Sequence, residues 1–141
     1  MSLHSKSRRK TVLLDTNFLL VPGQFGVDIF AGLYGICSFQ YEVCVLDATL
    51  AELDGIVSDK KASAKNRRAA GLGLQLLKAK GVKVIKTDRK VFKSTDKAIL
   101  DFAATNRDCV VATQDKELRE KLRAKGVSVV VLRQRQYLAL L

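Results

Sequence analysis

Four acidic residues stand where a carboxylate is costly or conspicuous: Asp15 in TVLLDTNFLL, Glu52 in LDATLAELDGI, Asp96 in STDKAIL and Asp115 in VVATQD. Asp15 interrupts an apolar run, so its burial carries a desolvation cost that something must offset. Carboxylates brought close together repel unless protons or cations neutralise them. Oxygen ligands without imidazole or thiolate suit a hard divalent ion, Mg2+ or Mn2+. The chain has one histidine, His4, and three widely spaced cysteines, Cys37, Cys44 and Cys109. Imidazole metal clusters and Ser-His catalysis therefore have almost nothing to work with. The cysteines, odd in number and two of them inside apolar runs, read as buried free thiols rather than disulfides or zinc ligands.

The elements between the acids must bring them together. Short β-branched runs at 11–16, 42–47, 82–87, 109–113 and 127–132 read as five strands. Helical patterns lie between them at about 25–36, 48–57, 62–80, 95–106 and 115–125, with Gly81 and Gly126 as helix stops. Continuous apolar strands alternating with helices imply a parallel sheet covered on both faces, a three-layer α/β/α architecture. After a basic arm at 1–10, residues 11–141 read as one domain. The tail RQRQYLALL reads as a last short helix packing Leu138, Leu140 and Leu141. Such sheets bind ligands beyond the carboxyl ends of their strands, where the strand order reverses. All four acids fall at that edge. If strands one and four are neighbours there, Asp15 and Asp115 face one another.

Three of the acids also have ordinary roles open to them. Thr49-Leu50-Ala51-Glu52 has the form of a capping box, Thr95 could cap the helix that Asp96 opens, and Asp115 could cap KELREKLRAKG. Asp15 has no such ready role. The charge balance supplies an independent clue. The net charge is +11, and residues 59–93 hold 12 Lys/Arg against 2 Asp. Lys6, Arg8, Arg9 and Lys10 add to it. A basic middle on an otherwise slightly acidic body calls for a polyanionic partner, with nucleic acid first among them. Lys61, Lys65 and Arg68 share one helical face flanked by Arg67, with Lys60 just before, while Ala69, Leu72 and Leu76 form an apolar stripe for the core. The bland version of this helix is simply amphipathic. GLGLQL within it lacks the third glycine of a dinucleotide fingerprint. Phe18, Phe25, Phe92 and Phe102 serve the core or stack on bases.

LLDTNFLL, ATLAELDGI, STDKAILDFA and VVATQDKELREKLRAKGV, in this order and spacing, resemble the four acidic motifs of PIN-domain nucleases. The likeness spans roughly 11–132. It is nearest to small archaeal PIN proteins similar to the endonucleases of small-subunit ribosomal RNA processing, and more distant from toxin ribonucleases. It implies a five-stranded parallel sheet and a metal-dependent endonuclease of single-stranded RNA, using one or two ions. It carries metal-site and catalytic roles onto Asp15, Glu52, Asp96 and Asp115, and supporting roles onto Asn17 and Thr113, whose side chains would orient the carboxylates. Asp15 would bind the ion directly with help from Asp96 and Asp115, while Glu52 ligates it or positions a water. Lys60, Lys61, Lys65, Arg67 and Arg68 would hold RNA. Lys97 stands where relatives often have a second acid, and Gln114 where Asn is frequent.

Competing readings stay open at this point. A non-catalytic RNA-binding or assembly protein would use the basic surface equally well. A toxin ribonuclease of a toxin–antitoxin pair is a second. A phosphatase with an aspartate nucleophile after strand one is disfavoured, because Asn17 stands where that chemistry normally needs a second Asp. PIN domains commonly pair, so a homodimer is a further expectation. With no signal-like or membrane-length apolar segment, the protein reads as cytoplasmic.

Overall fold

The computed structural model describes residues 9–88 and 93–141. The first eight residues of the basic arm, Phe92 and the segment around it lie outside the described residues. Among those described, β1 (Lys10–Leu14), β2 (Tyr41–Leu46), β3 (Lys83–Ile85), β4 (Cys109–Ala112), β5 (Ser128–Arg133) and β6 (Tyr137–Leu140) form one sheet of order β3-β2-β1-β4-β5-β6. The first five are parallel, and β1 lies between β2 and β4, pairing Leu13 with Cys44 and Leu14 with Ala112. The chain winds outward from β1 in both directions, so the expected reversal falls between β1 and β4.

The helices are α1 (Thr16–Leu19), α2 (Val21–Phe25), α3 (Ile29–Ile36), α4 (Asp47–Ser58), α5 (Ala64–Ala79), α6 (Thr95–Thr105) and α7 (Lys116–Ala124). Strand side chains alternate between faces, which divides the core into two layers. Val12, Leu14, Val45, Val110 and Ala112 pack with Phe18, Leu19, Ile29, Leu33, Leu53 and Leu77 on one face. Leu13, Leu46, Val111, Val129 and Val131 meet Ile99, Ala103, Leu118 and Leu122 on the other. Cys44 and Cys109 are buried, Cys37 is half-buried, and all three are free thiols. Gly81 and Gly126, at φ 61 and 79, adopt the left-handed conformation that ends a helix.

The sheet has six strands, not five. The tail is not a helix: β6 runs antiparallel to β5, with Val130 opposite Leu140 and Leu132 opposite Leu138. Gln134 and Arg135 make the hairpin turn with φ of 52 and 57. Both central residues of this tight turn are thus left-handed, a conformation usually supplied by Asn-Gly or Asp-Gly. The Arg135 guanidinium sits 5.7 Å from the Phe25 ring, tying the turn to α2. The helix expected at about 25–36 is α3, which starts later, at Ile29. Chain leaving β1 turns at once into α1 and α2, and Asp28 then caps α3 by accepting from Phe30 and Ala31 backbone N–H.

The buried side of α5 is Ala69, Ala70, Gly73 and Leu77. The expected stripe was displaced, since Leu72 is exposed and Leu76 only half-buried. Small residues let α5 press onto α1 and α2, with Gly73 against Leu19 and Ala69 against Gly23. A Cβ on Gly73 would lie 2.7 Å from the Leu19 carbonyl oxygen, a backbone atom that cannot swing aside. Gly73→Ala should therefore destabilise by about 1 kcal/mol or more despite the better helix propensity of alanine. A thermal melt reads this directly.

Candidate active site

β1 ends at Leu14, and Asp15 begins the turn into α1. Its backbone N–H still donates to Ala112 on β4, at 2.9 Å, while its carbonyl accepts from Phe18 and Leu19. The carboxylate is fixed on both oxygens. Oδ1 accepts from the Thr16 N–H at 2.8 Å, and Oδ2 accepts from the Thr113 hydroxyl at 2.7 Å. Asp15 is only 3% exposed. Burial pushes its carboxyl up to about 6; the bonds from Thr113 and Thr16 pull it down, and the negative charges of Asp96 and Glu52 push it further up.

Glu52 arrives from α4. It does not close a capping box: α4 begins after Leu46 with no side-chain cap, and the Thr49 hydroxyl is buried inside the helix with no partner among the described residues. Glu52 Oε1 instead accepts from the Thr16 hydroxyl at 2.5 Å. Thr16 thus joins the two acids, giving its N–H to one and its hydroxyl to the other. Asp96 lies in the first turn of α6, whose cap is Ser94 rather than Thr95. Its carboxyl is raised, first by burial and then by the charges of Asp115 and Glu52, with Lys121 opposing. Asp115 caps α7 as expected, accepting from the Leu118 N–H at 3.1 Å.

Asp15, Glu52 and Asp96 line one cavity of about 390 Å³ together with Thr16, Asn17 and Asp59. Asp115 is not in that lining. It meets the others through its field on Asp96 and through Thr113, whose oxygen accepts the Asp115 N–H at 3.1 Å while its hydrogen goes to Asp15. Thr113 is fully buried. Asn17 Oδ1 accepts from the Gln114 N–H at 2.9 Å, closing the same corner. The Gln114 side chain turns the other way and accepts the Leu132 N–H of β5 at 2.8 Å. Neither Gln114 nor Thr16 announces a site role by residue type or spacing. Thr16 stood beside Asp15 with nothing to mark Glu52 as its partner.

Among the described residues no three His, Cys, Asp or Glu side chains converge tightly enough to make a ready cage. The donor set nevertheless fits a hard divalent cation: all four groups are oxygen acids, and the buried Asp15 and the partly desolvated but exposed Asp96 carry the raised proton affinity that a cation would relieve.

The basic residues distribute less simply than one helical face. Lys60 and Lys61 precede α5, in a turn following Asp59 at the cavity rim. Lys65 and Arg68 are exposed on its first turns. The Arg67 guanidinium folds back onto the backbone carbonyls of Asp59 and Ala62, so it fastens the turn.

Residues 12–135 match the family described as a PIN-like domain. The chain belongs to that family. Ribonuclease VapC4 of Methanocaldococcus jannaschii is 29% identical over 126 residues, covering 89% of this chain and 92% of that protein. A solved structure of the PIN domain endonuclease Utp24 superposes with a TM-score of 0.73 at 23% identity, covering 92% of this chain and 90% of that one. This PIN-like domain therefore shares its fold with a protein of known structure along nearly its whole length.

Proposed function

We propose that this PIN-like domain is a divalent-metal-dependent endoribonuclease that hydrolyses phosphodiester bonds of single-stranded RNA. One observation carries the reading: a nearly inaccessible carboxylate, Asp15, stands at the carboxyl end of β1 in a cavity shared with Glu52 and Asp96, its proton affinity raised by burial and by those neighbours. The ribonuclease named among its relatives supports the substrate class. Asp15, Asp96, Asp115 and Glu52 would hold one or two Mg2+ or Mn2+ ions. Such ions supply charge neutralisation at the scissile phosphate and activation of water.

The protein's own contribution is positioning. Thr113 and the Thr16 N–H fix both oxygens of Asp15, so the carboxylate is oriented before any ligand arrives. The Thr16 hydroxyl holds Glu52 toward the same cavity. Lys60, Lys61, Lys65 and Arg68 would meet phosphates of the strand entering over the rim, with Arg67 keeping that turn in shape. Maturation of ribosomal RNA is the role we propose, acting in the cytoplasm and as a homodimer. Among the described residues no helix is long and apolar enough to cross a membrane.

The test is cleavage of end-labelled single-stranded RNA with Mn2+, Mg2+ or EDTA, by the wild type and Asp15→Asn. Metal-dependent products lost in the variant are the expected result. Products from both proteins would sink the site assignment. Salt-sensitive binding without products would favour a non-catalytic RNA-binding or assembly protein, the second reading, which the exposed Lys60, Lys61, Lys65 and Arg68 would serve equally well. Growth arrest on expression would instead mark a toxin ribonuclease.

A further inference from the structure

The opposite end of the sheet carries an arrangement that the carboxylate site does not use. Where β1 and β2 begin, a groove of about 630 Å³ is lined by Arg9, Tyr34, Cys37, Phe39, Gln40 and Tyr41. A second hollow of about 290 Å³ shares Arg9 and Tyr41 with it and continues past Phe30 and one acid, Glu42, to Lys80 and Lys83. The two form one surface. Its aromatic rings and cations are interleaved: the Lys10 ammonium lies 5.5 Å from the Phe39 ring and that of Lys80 lies 5.7 Å from Phe30. Phe39 meets Tyr41 edge to face at 6.3 Å. Phe30, Phe39 and Tyr41 each rest one side on the core, so they are fixed walls. Tyr34 is different. It is 81% exposed, on a helix otherwise built of apolar and small residues.

An exposed ring costs solubility and gains nothing from the core, whereas a ring beside fixed cations is what single-stranded nucleic acid uses, with bases stacked and phosphates paired. We propose that this edge is a second contact surface for single-stranded RNA, in which Tyr34 stacks on a base while Arg9, Lys10, Lys80 and Lys83 hold the adjoining phosphates. It lies far from the carboxylates, since β1 carries the chain from Arg9 to Asp15 over six extended steps, about 20 Å. Helix α5 spans the same gap, with Lys60 and Lys61 before its first residue and Lys80 just after its last. Its 16 residues make a rod about 24 Å long. A strand of several nucleotides could thus be held at both ends of the molecule. The proposal shares with the one above only the identity of the partner as RNA, and it needs no turnover.

The experiment measures binding of a fluorescein-labelled single-stranded 12-mer RNA to the full chain in EDTA at fixed salt. Tyr34→Ala is exposed enough to fold normally and should weaken binding at least about fivefold. Tyr34→Phe should keep most of the wild-type affinity, because the ring is what stacks. Arg123→Ala, an exposed charge on α7, is the control for general electrostatics and should change little. Equal affinity for wild type and Tyr34→Ala overturns the proposal. So does a variant that loses self-association in sedimentation while keeping its RNA affinity, which would assign the face to a second copy. No RNA binding by the wild type overturns it as well. Failure to cleave with metal would count against the nuclease alone, leaving a Tyr34-dependent affinity intact.

Discussion

Asp15→Asn is expected to abolish cleavage and at the same time to stabilise the metal-free protein. Under the proposed function, removing a carboxylate that would hold the ion should forfeit several kcal/mol of transition-state stabilisation, which corresponds to a rate loss of at least about a hundredfold. Stability moves the other way because Asp15 is buried and its carboxyl sits at about 6 rather than 3.8. A folded-state value raised above the unfolded one means that the folded protein favours the proton. The contribution is fully present below about 3.8 and is lost as pH rises through about 6. A shift of about two units amounts to roughly 3 kcal/mol at neutral pH. Asparagine has the same shape, never ionises, and can accept from the Thr16 N–H and donate to the Thr113 oxygen, whose hydroxyl then turns toward Asn17 Oδ1, 3.4 Å away. In EDTA at pH 7.5 the variant should melt roughly 5–10 °C higher. The gap should close as pH falls toward 4. Added Mn2+ should raise the wild-type melting temperature and leave the variant's unchanged. A variant less stable than the wild type at every pH would refute this account of Asp15.

Thr113→Val should have the next largest effect. Valine nearly preserves the shape of a fully buried side chain and deletes one oxygen that does two jobs. Asp15 Oδ2 loses its donor, and the Asp115 N–H loses its acceptor. The second loss leaves a part-buried backbone donor unpaired, costing about 1–3 kcal/mol. The first frees the carboxylate to rotate and raises its proton affinity further. Metal affinity and cleavage should fall about 10–100-fold together. Thr113→Ser retains the hydroxyl and should recover most of both. If valine lowers stability alone, with metal titration and turnover unchanged, Thr113 is a fold residue only.

How much of this could be read from the chain follows from what kind of interaction fixes each part. β1, β2, β4 and β5 were legible because a strand buried on both faces leaves a continuous apolar run, and an acid after such a run has few places to go. The placement of Asp15 at the end of β1 and of Asp115 as the α7 cap follows from that alone. Glu52 was ambiguous because a capping box and a cleft acid have the same local sequence. Only Thr16, 36 positions away, separates them. Lys61 looked helical by spacing, but Ser63 caps α5 by accepting from the Asn66 N–H, which starts the helix after it. The tail resembles a helix in sequence because Gln134-Arg135 carries no glycine or asparagine to announce a hairpin, and its apolar residues fall as if on one side of a helix.

The β5–β6 hairpin also matters to the protein outside its native state. β5 carries VVVL at its heart, apolar and rich in β-branched residues, and its outer row of backbone groups would be a template for another chain to add onto. β6 and Leu141 occupy that row, with Leu141 exchanging both backbone hydrogen bonds with Val129 at 2.8 and 3.2 Å. The edge then passes to β6, a strand of four residues, and at the other margin to β3, three residues with Lys83 at its start. β6 and Leu141 thus act as a guard against aggregation, covering a six-residue sticky strand while leaving short stubs at the margins.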